Sequence, residues 1–187
     1  DLDFVMPVTG KVAGGYGDAR GNRQHMAGDL RTNPDDPVFA PGNMELIAGG
    51  MSDGTATNMP RPGDAWSHWR DVNTGLEYRL AHHRPITGFK PGDVISAGAP
   101  FTTVGGLVDD PHLHMSVKDP TGKRVDWLNQ FNLRRGHDIE AGYLGSKHAA
   151  HYGSEVERKA EKTAGPVMSD WEVVESDIPL DTLPSSK

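Results

Sequence analysis

The chain contains stretches in which apolar and polar residues alternate, a pattern typical of a β-strand. Residues 112–118 read His-Leu-His-Met-Ser-Val-Lys, so the apolar residues Leu113, Met115 and Val117 alternate with polar ones. Successive side chains of a strand point to opposite faces, so His112 and His114 are predicted to share one face while Leu113 points to the other. Two imidazoles at this spacing can converge on one point. Imidazole is a common zinc ligand and titrates near neutral pH.

A second alternating stretch ends in two histidines. Residues 75–83 read Gly-Leu-Glu-Tyr-Arg-Leu-Ala-His-His. Alternation places His82 in line with the apolar residues of this strand, at a strand end where a cleft could begin. His83 is predicted to point the other way unless a β-bulge intervenes.

The rest of the apolar pattern predicts short strands and turns. Residues 38–42 and 44–50 are two mainly apolar runs, which together predict a hairpin. Residues 51–70 show no convincing period and contain two prolines, which predicts a long surface loop of the kind that frames a binding cleft. Two tryptophans flank His68 in that segment, and they are expected either to cap the core edge or to line a substrate wall.

Composition favours a β fold. Only 35% of the 187 residues are hydrophobic, and the 23 glycines and 14 prolines suit strands, turns and loops better than a helical bundle. We predict a mainly β domain over residues 1–134, an antiparallel sheet in a sandwich or half-barrel with an open groove. Residues 135–187 are predicted to form a linker, a short helix that begins at a capping box in residues 154–157, and a partly disordered acidic tail.

Charge and residue usage exclude several classes of protein. The net charge of −7 argues against a general nucleic-acid binder. No run of about 18 apolar residues is present, so no membrane span is predicted. The absence of cysteine excludes disulfides and thiolate zinc sites, so any metal must be bound by histidine and carboxylate. No signal peptide is visible and the chain starts at Asp1, so we expect a processed product or a piece of a longer protein.

A further pair of candidate metal ligands lies early in the chain. His25 and Asp29 are four residues apart at the end of a Gly-rich loop that enters a predicted strand. They could supply one nitrogen and one oxygen ligand to the same metal ion. A solvated loop with a surface histidine is the alternative interpretation of this pair taken alone.

The order of these motifs resembles that of the lysostaphin-type (LytM-type) zinc endopeptidases, which cut peptide cross-links in bacterial cell walls. An H-x-x-x-D motif at residues 25–29 is followed by a strand that ends in histidine, a Lys-Pro-Gly-Asp turn at residues 90–93, and H-L-H at residues 112–114. The resemblance covers roughly residues 4–130. Other phrases that match are Pro-Val-Thr-Gly at residues 7–10, Val-Phe-Ala-Pro-Gly at residues 38–42 and Val-Asp-Trp-Leu at residues 125–128.

The resemblance implies that His25, Asp29 and His114 bind Zn²⁺. Three protein ligands leave a fourth tetrahedral position for water, as catalytic zinc sites require. The chain departs from the family pattern at one point of the first motif, because the family has glycine in the middle of H-x-G-x-D whereas Gly28 lies directly before Asp29 here.

The resemblance also implies that His112 and the strand-ending histidine act in catalysis. Two unligated imidazoles could orient the water, move its proton and stabilise the oxyanion. Strand alternation favours His82 as the second histidine, whereas counting back from the Lys-Pro-Gly turn favours His83. A second departure is Ser116, which replaces the acidic or amide residue that often follows H-L-H.

These features predict a zinc metallo-endopeptidase that hydrolyses peptide bonds in peptidoglycan stems or cross-bridges. The alternative is a non-catalytic cell-wall-binding or scaffold domain of the same fold within a larger assembly. A biotinyl or lipoyl carrier domain has a similar Lys-Pro-Gly-Asp turn, but it would leave the histidines without a role. We expect an extracellular or host-periplasmic location, as a phage virion component attached through its tail or as a secreted lysin.

Overall fold

The structure, a computed structural model, describes residues 2, 4–55 and 61–142 and consists mainly of β-strands. In these residues the helical content is the single helix α1 (Trp127–Gln130), whose first turn is capped by the Asp126 side chain. The strands, in chain order, are β1 (Gly10–Gly14), β2 (Ala19–Arg20), β3 (Arg23–Gln24), β4 (Gly28–Arg31), β5 (Pro37–Phe39), β6 (Met44–Met51), β7 (Ala65–Asp71), β8 (Glu77–His83), β9 (Val94–Ile95), β10 (Pro100–Thr103), β11 (His112–Lys118) and β12 (Asp138–Ile139).

Eight strands form one antiparallel sheet in the order β12-β1-β4-β11-β8-β7-β6-β9. Strands β5 and β10 form a separate antiparallel pair, and β2 and β3 form a short hairpin. Strand β11 lies between β4 and β8, so His114 has a neighbouring strand on each side, whereas His112 pairs with Arg31 of β4. The predicted mainly β, antiparallel fold is confirmed.

One face of the large sheet carries the hydrophobic core. Leu113 is fully buried on this face, as alternation predicts. The N-terminal segment and α1 pack there, with the ring centroids of Phe4 and Trp127 5.6 Å apart. Val38 of β5 and Phe101 of β10 are buried in the same core, so it lies between the large sheet and the small pair as in a sandwich.

The register of the sheet aligns a row of residues on the opposite face. Asp29 of β4 lies directly opposite His114 of β11, Gly14 of β1 pairs with Asp29, and Ala81 of β8 pairs with His114. A Cβ atom at Gly14 would lie 2.5 Å from the Asp29 Oδ2 atom, so this carboxylate fits only beside glycine. The small residues at both ends of the row leave room for the larger polar side chains between them.

The predicted hairpin between residues 38–42 and 44–50 is wrong in its pairing. Both runs form strands, but β5 pairs with β10 and β6 pairs with β7 and β9. The connecting residue Gly42 packs so closely on the large sheet that a Cβ atom there would meet the Asp71 carboxylate, as the chain crosses from one sheet to the other. An apolar run identifies a strand, whereas its partners are set by distant parts of the chain.

The predicted surface loop at residues 51–70 is wrong for residues 65–70, which belong to β7. Trp66 and Trp69 are three residues apart and therefore lie on opposite faces, Trp69 in the main core and Trp66 in a second cluster with Ala81. Ser67 and His68 between them are also buried. A strand that is buried on both faces and contains polar residues shows no simple alternation, which is why the sequence pattern did not reveal it.

Two expectations concern the end of the chain. The predicted C-terminal helix and the acidic tail lie outside the described residues. The predicted domain boundary near residue 134 stays a prediction, and β12 (Asp138–Ile139) pairs with β1 on the far side of that point. Within the described ranges, no helix has the length and apolar character needed to cross a membrane.

Replacing Gly28 tests the packing beneath the row of polar residues. An ideal Cβ at Gly28 would lie 2.5 Å from Cζ2 of Trp127 and 3.0 Å from the Leu128 side chain, both in the core. We expect Gly28→Ala to lower the free energy of unfolding by about 1–3 kcal/mol through overpacking, measured by chemical denaturation. The matched control is Gly106→Ala, whose Cβ would meet only Pro34 at 3.4 Å. An equal loss in both variants would contradict the packing argument.

Candidate active site

Three candidate ligand atoms converge at the middle of the aligned row, where Asp29 and His114 lie side by side. The Nε2 atom of His25 lies 3.2 Å from Nδ1 of His114 and 3.1 Å from Oδ1 of Asp29. The Nδ1 atom of His114 lies 3.0 Å from the same Asp29 oxygen. Among the described residues, His25, Asp29 and His114 form a group that could hold a metal ion. Asp29 and His114 are brought together by strand register, and His25 is brought in by the loop before β4.

The donor set fits a zinc ion. Two nitrogen ligands and one carboxylate oxygen are a usual set for catalytic zinc, and ligand atoms about 2.0–2.1 Å from the metal in a tetrahedron are roughly 3.3 Å apart. The three separations are close to that value. The Nδ1 atom of His25 lies 2.9 Å from the Gly15 carbonyl oxygen and donates to it, so Nε2 is the atom that faces Asp29 and that could bind a metal ion once it has lost its proton.

The Asp29 carboxylate is the buried charge at the centre of the site. It is 5% exposed, and its Oδ2 atom accepts a hydrogen bond from Nη2 of Arg20 at 2.5 Å. Burial raises the pKa of Asp29, but the bonds from His114 and His25 outweigh this, so its net pKa lies well below the usual value. Burial lowers the pKa of His25, but the bond and charge of Asp29 outweigh this and its net pKa is raised. The carboxylate therefore stays ionised.

His112 lies beside the three candidate ligands with one ring nitrogen free. Its Nδ1 atom lies 2.7 Å from the Asp110 carbonyl oxygen and donates to it, which leaves Nε2 as an acceptor 3.7 Å from Asp29 Oδ1. Burial lowers the pKa of His112, so the ring is neutral near pH 7. A neutral imidazole with an accessible lone pair can take a proton from water.

The structure brings His82, and not His83, to the cluster. The ring centroid of His82 lies 4.8 Å from that of His112 and 6.1 Å from that of His114. This placement does not come from strand alternation, which puts His82 on the core face. His82 has φ 63° and is an extra residue between the pairs Ala65–His83 and Trp66–Ala81, so a β-bulge turns its ring to the site face.

His83 lies in the core instead. It is 1% exposed, its Nε2 atom lies 3.0 Å from Oγ of Ser67, and its Nδ1 atom donates to the Arg84 carbonyl oxygen at 2.7 Å. Burial lowers the pKa of His83 to about 4. Of the two candidates for the second histidine of the site, His82 lies in the cluster and His83 does not.

Two charged residues of the site, Arg20 and Asp64, are not predicted by the sequence pattern. Arg20 comes from the β2–β3 hairpin, within a polar loop that has no period. Asp64, which is 2% exposed, accepts a hydrogen bond from Nδ1 of His82 at 2.6 Å. It precedes β7 in the segment predicted to be a surface loop, so no local signal marks it. His68 lies away from the cluster and contacts Glu77.

An open groove runs beside the cluster, along the β2–β3 hairpin. Its volume of about 420 Å³ is within the range of small-ligand pockets. Its walls carry charges of both signs, and two exposed ion pairs, Arg31–Asp110 and Arg135–Asp18, lie in it at 2.7 and 2.8 Å. His112 and Asp29 form the end of the groove at the site.

Comparison with known proteins identifies the class of fold. No protein-family model matches the sequence, and no curated protein matches it significantly. Solved structures of similar fold are LytM/lysostaphin-type zinc peptidases, so the resemblance predicted from the sequence is confirmed at the level of fold.

Three of these structures illustrate the similarity. A zinc-containing peptidase from Vibrio cholerae is 20% identical with a TM-score of 0.53, over 67% of this chain and 39% of that chain. LytU is 17% identical with a TM-score of 0.50, over 70% of this chain and 88% of that chain. Lysostaphin from Staphylococcus simulans is 19% identical with a TM-score of 0.50, over 86% of this chain and 56% of that chain. The chain thus spans well under half of the Vibrio peptidase.

Removing Arg20 tests whether it holds the central carboxylate. Without the guanidinium, Asp29 loses the partner of its second oxygen and its orientation toward the histidines. We expect Arg20→Ala to weaken Zn²⁺ binding by about 10- to 100-fold, measured by competition with a chromogenic chelator. Arg23→Ala, on the same hairpin, is the control and should bind Zn²⁺ as the wild type does. Unchanged affinity in Arg20→Ala would show that the ion pair is only a surface contact.

The buried His83 predicts a pH dependence of stability. Its pKa is about 4 in the folded chain and about 6.5 when unfolded, so the unfolded state binds an extra proton between these values. Stability should therefore fall as the pH drops from about 6.5 to 4, by up to about 1.4 kcal/mol per pH unit from this group. Denaturation of zinc-free protein at several pH values measures the slope. His83→Gln should have a shallower slope, and equal slopes would contradict the assignment.

Proposed function

We propose that the chain is a zinc-dependent endopeptidase that hydrolyses peptide bonds in bacterial peptidoglycan. The observation that carries this proposal is the convergence of His25, Asp29 and His114 with two further imidazoles, His112 and His82, beside them. A structural metal site would be closed by a fourth protein ligand, whereas this group offers three and has a groove at one side.

The five side chains divide into two sets, three that would bind the ion and two that would act on the water or the oxyanion. His25, Asp29 and His114 would hold the ion through Nε2, Oδ1 and Nδ1. Zinc, when bound by such a set, supplies Lewis-acid chemistry that activates water near neutral pH and polarises a carbonyl group. His112, neutral and with Nε2 free, accepts the proton of the attacking water. His82, whose Nδ1 donates to the Asp64 carboxylate, directs Nε2 toward the site, and in the protonated form of the ring Nε2–H donates to the oxyanion that develops on the scissile carbonyl.

The fold and the groove both support a peptidoglycan substrate. Peptidoglycan peptides carry free carboxylates and amines, and the groove presents arginine and aspartate side chains beside the site. Lysostaphin, of similar fold, is described as an antimicrobial peptidase. A cell-wall substrate places the action of this chain outside the cell or in a host periplasm. Association with a phage virion, or with a larger assembly through residues 135–187, is proposed on the acidic sequence of that extension alone.

Digestion of purified peptidoglycan tests the proposal. We expect new amino groups, detected by mass spectrometry of the soluble fragments, and we expect a zinc chelator to abolish their release. The fragment masses would identify the bond that is cut. Release that is insensitive to the chelator would contradict a metal-dependent mechanism.

Two variants separate the proposed roles. His114→Ala should lose both bound zinc and activity, because one of three ligands is gone. His112→Ala should keep about one zinc per chain by elemental analysis and lose activity by about 100-fold or more. His137→Ala, outside the cluster, should retain both. Retained activity in His114→Ala would overturn the ligand assignment.

A zinc-loaded wild type that releases nothing from several wall types would favour the alternative function, a non-catalytic wall-binding or scaffold domain of the same fold. Fold alone does not distinguish the two, since one fold serves many functions.

A further inference from the structure

We infer that Asp64 is a positioning residue of the proposed active site, which fixes the direction and tautomer of the His82 ring. The inference rests on the proposed function only for its consequence in catalysis. The contact itself is a property of the folded chain, and it can be tested without substrate or metal.

The backbone at His82 is unusual for a residue within a strand. Among the described residues, three non-glycine residues have positive φ, and the other two, Asp35 and Asn132, lie in turns. His82 lies inside β8 with φ 63°. Such a conformation is strained and persists where surrounding contacts hold it in place.

Two contacts hold the bulge. The His82 carbonyl oxygen accepts a hydrogen bond from the Gly105 amide at 2.9 Å. A Cβ at Gly105 would lie 3.1 Å from that oxygen, so the approach is close. On the side-chain end, Nδ1 of His82 lies 2.6 Å from Oδ2 of Asp64. The first contact fixes the backbone and the second fixes the ring.

Backbone hydrogen bonds and burial hold Asp64 in position. Its carbonyl oxygen accepts from the Ser52 amide at 2.7 Å, and the Ser52 carbonyl oxygen accepts from the Gly63 amide at 2.9 Å. Its side chain is 3% exposed. A carboxylate taken out of water costs free energy unless it is paired, and the pairing that the structure gives Asp64 is with His82.

The consequence for the site is the orientation of the other ring nitrogen. Because the carboxylate accepts from Nδ1–H, Nε2 is the atom left to face the cluster, where the His112 ring lies 4.8 Å away. A carboxylate behind an imidazole fixes the tautomer and compensates positive charge that develops on the ring during a reaction. A second histidine–carboxylate pair, His68–Glu77 at 3.2 Å, lies on the same sheet away from the cluster and serves as an internal control.

The first measurement is the tautomer of His82 in zinc-free, ¹⁵N-labelled protein, read from long-range ¹H–¹⁵N spectra above about pH 8, where ordinary imidazoles are neutral. We expect the Nδ1–H form in the wild type and a change toward Nε2–H in Asp64→Ala. Glu77→Gln should leave the His82 signals unchanged. The Nε2–H form in the wild type, or no change in Asp64→Ala, would overturn the inference.

The second measurement is steady-state hydrolysis by the zinc-loaded proteins. Asp64→Ala should lower kcat by at least about 10-fold while KM and zinc affinity stay within about twofold. Glu77→Gln should change none of these, and an equal fall in kcat for both variants would overturn the inference. If Asp64→Ala does not fold, Asp64→Asn replaces it, since an amide keeps the shape but loses the charge, and kcat should still fall. If the wild type hydrolyses nothing, the proposed function fails while the tautomer still decides the role of Asp64.

Discussion

The burial of one carboxylate, that of Asp29, is the constraint on which the site depends. A charge removed from water requires compensation, and Arg20, His25 and His114 all direct a nitrogen at its two oxygens. These partners come from a hairpin, a loop and a strand, so meeting this one requirement brings separate parts of the chain together. The same convergence places three atoms that could bind a metal ion at zinc-like spacing.

The large sheet makes this convergence possible because one of its faces carries the hydrophobic core and the other carries the polar row. One face of β11 buries Leu113 in the core, and the other presents His112 and His114. Small residues at Gly14 and Ala81 flank the polar row, so the sheet has room there for buried charge. Stability and chemistry therefore use alternate residues of the same strands.

The second imidazole reaches the site only because β8 departs from regular geometry. A regular strand would send His82 into the core and expose His83 on the site face, whereas the bulge exchanges them. His83 then packs at the core edge as a buried ring of lowered pKa, and His82 meets His112. Local strain in the backbone is thus coupled to the position of a functional side chain.

The sequence by itself determined the mainly β architecture, the face shared by His112 and His114, and the residue types able to hold a metal, because these depend on local alternation and donor chemistry. Only the tertiary structure decided the partners of β5 and β6, the strand at Ala65–Asp71, the bulge at His82, and the contacts of Arg20 and Asp64. The physical reason is that the alternation of apolar and polar residues is a property of residues close together in sequence. Pairing, bulges and buried charge compensation arise between residues far apart in the chain.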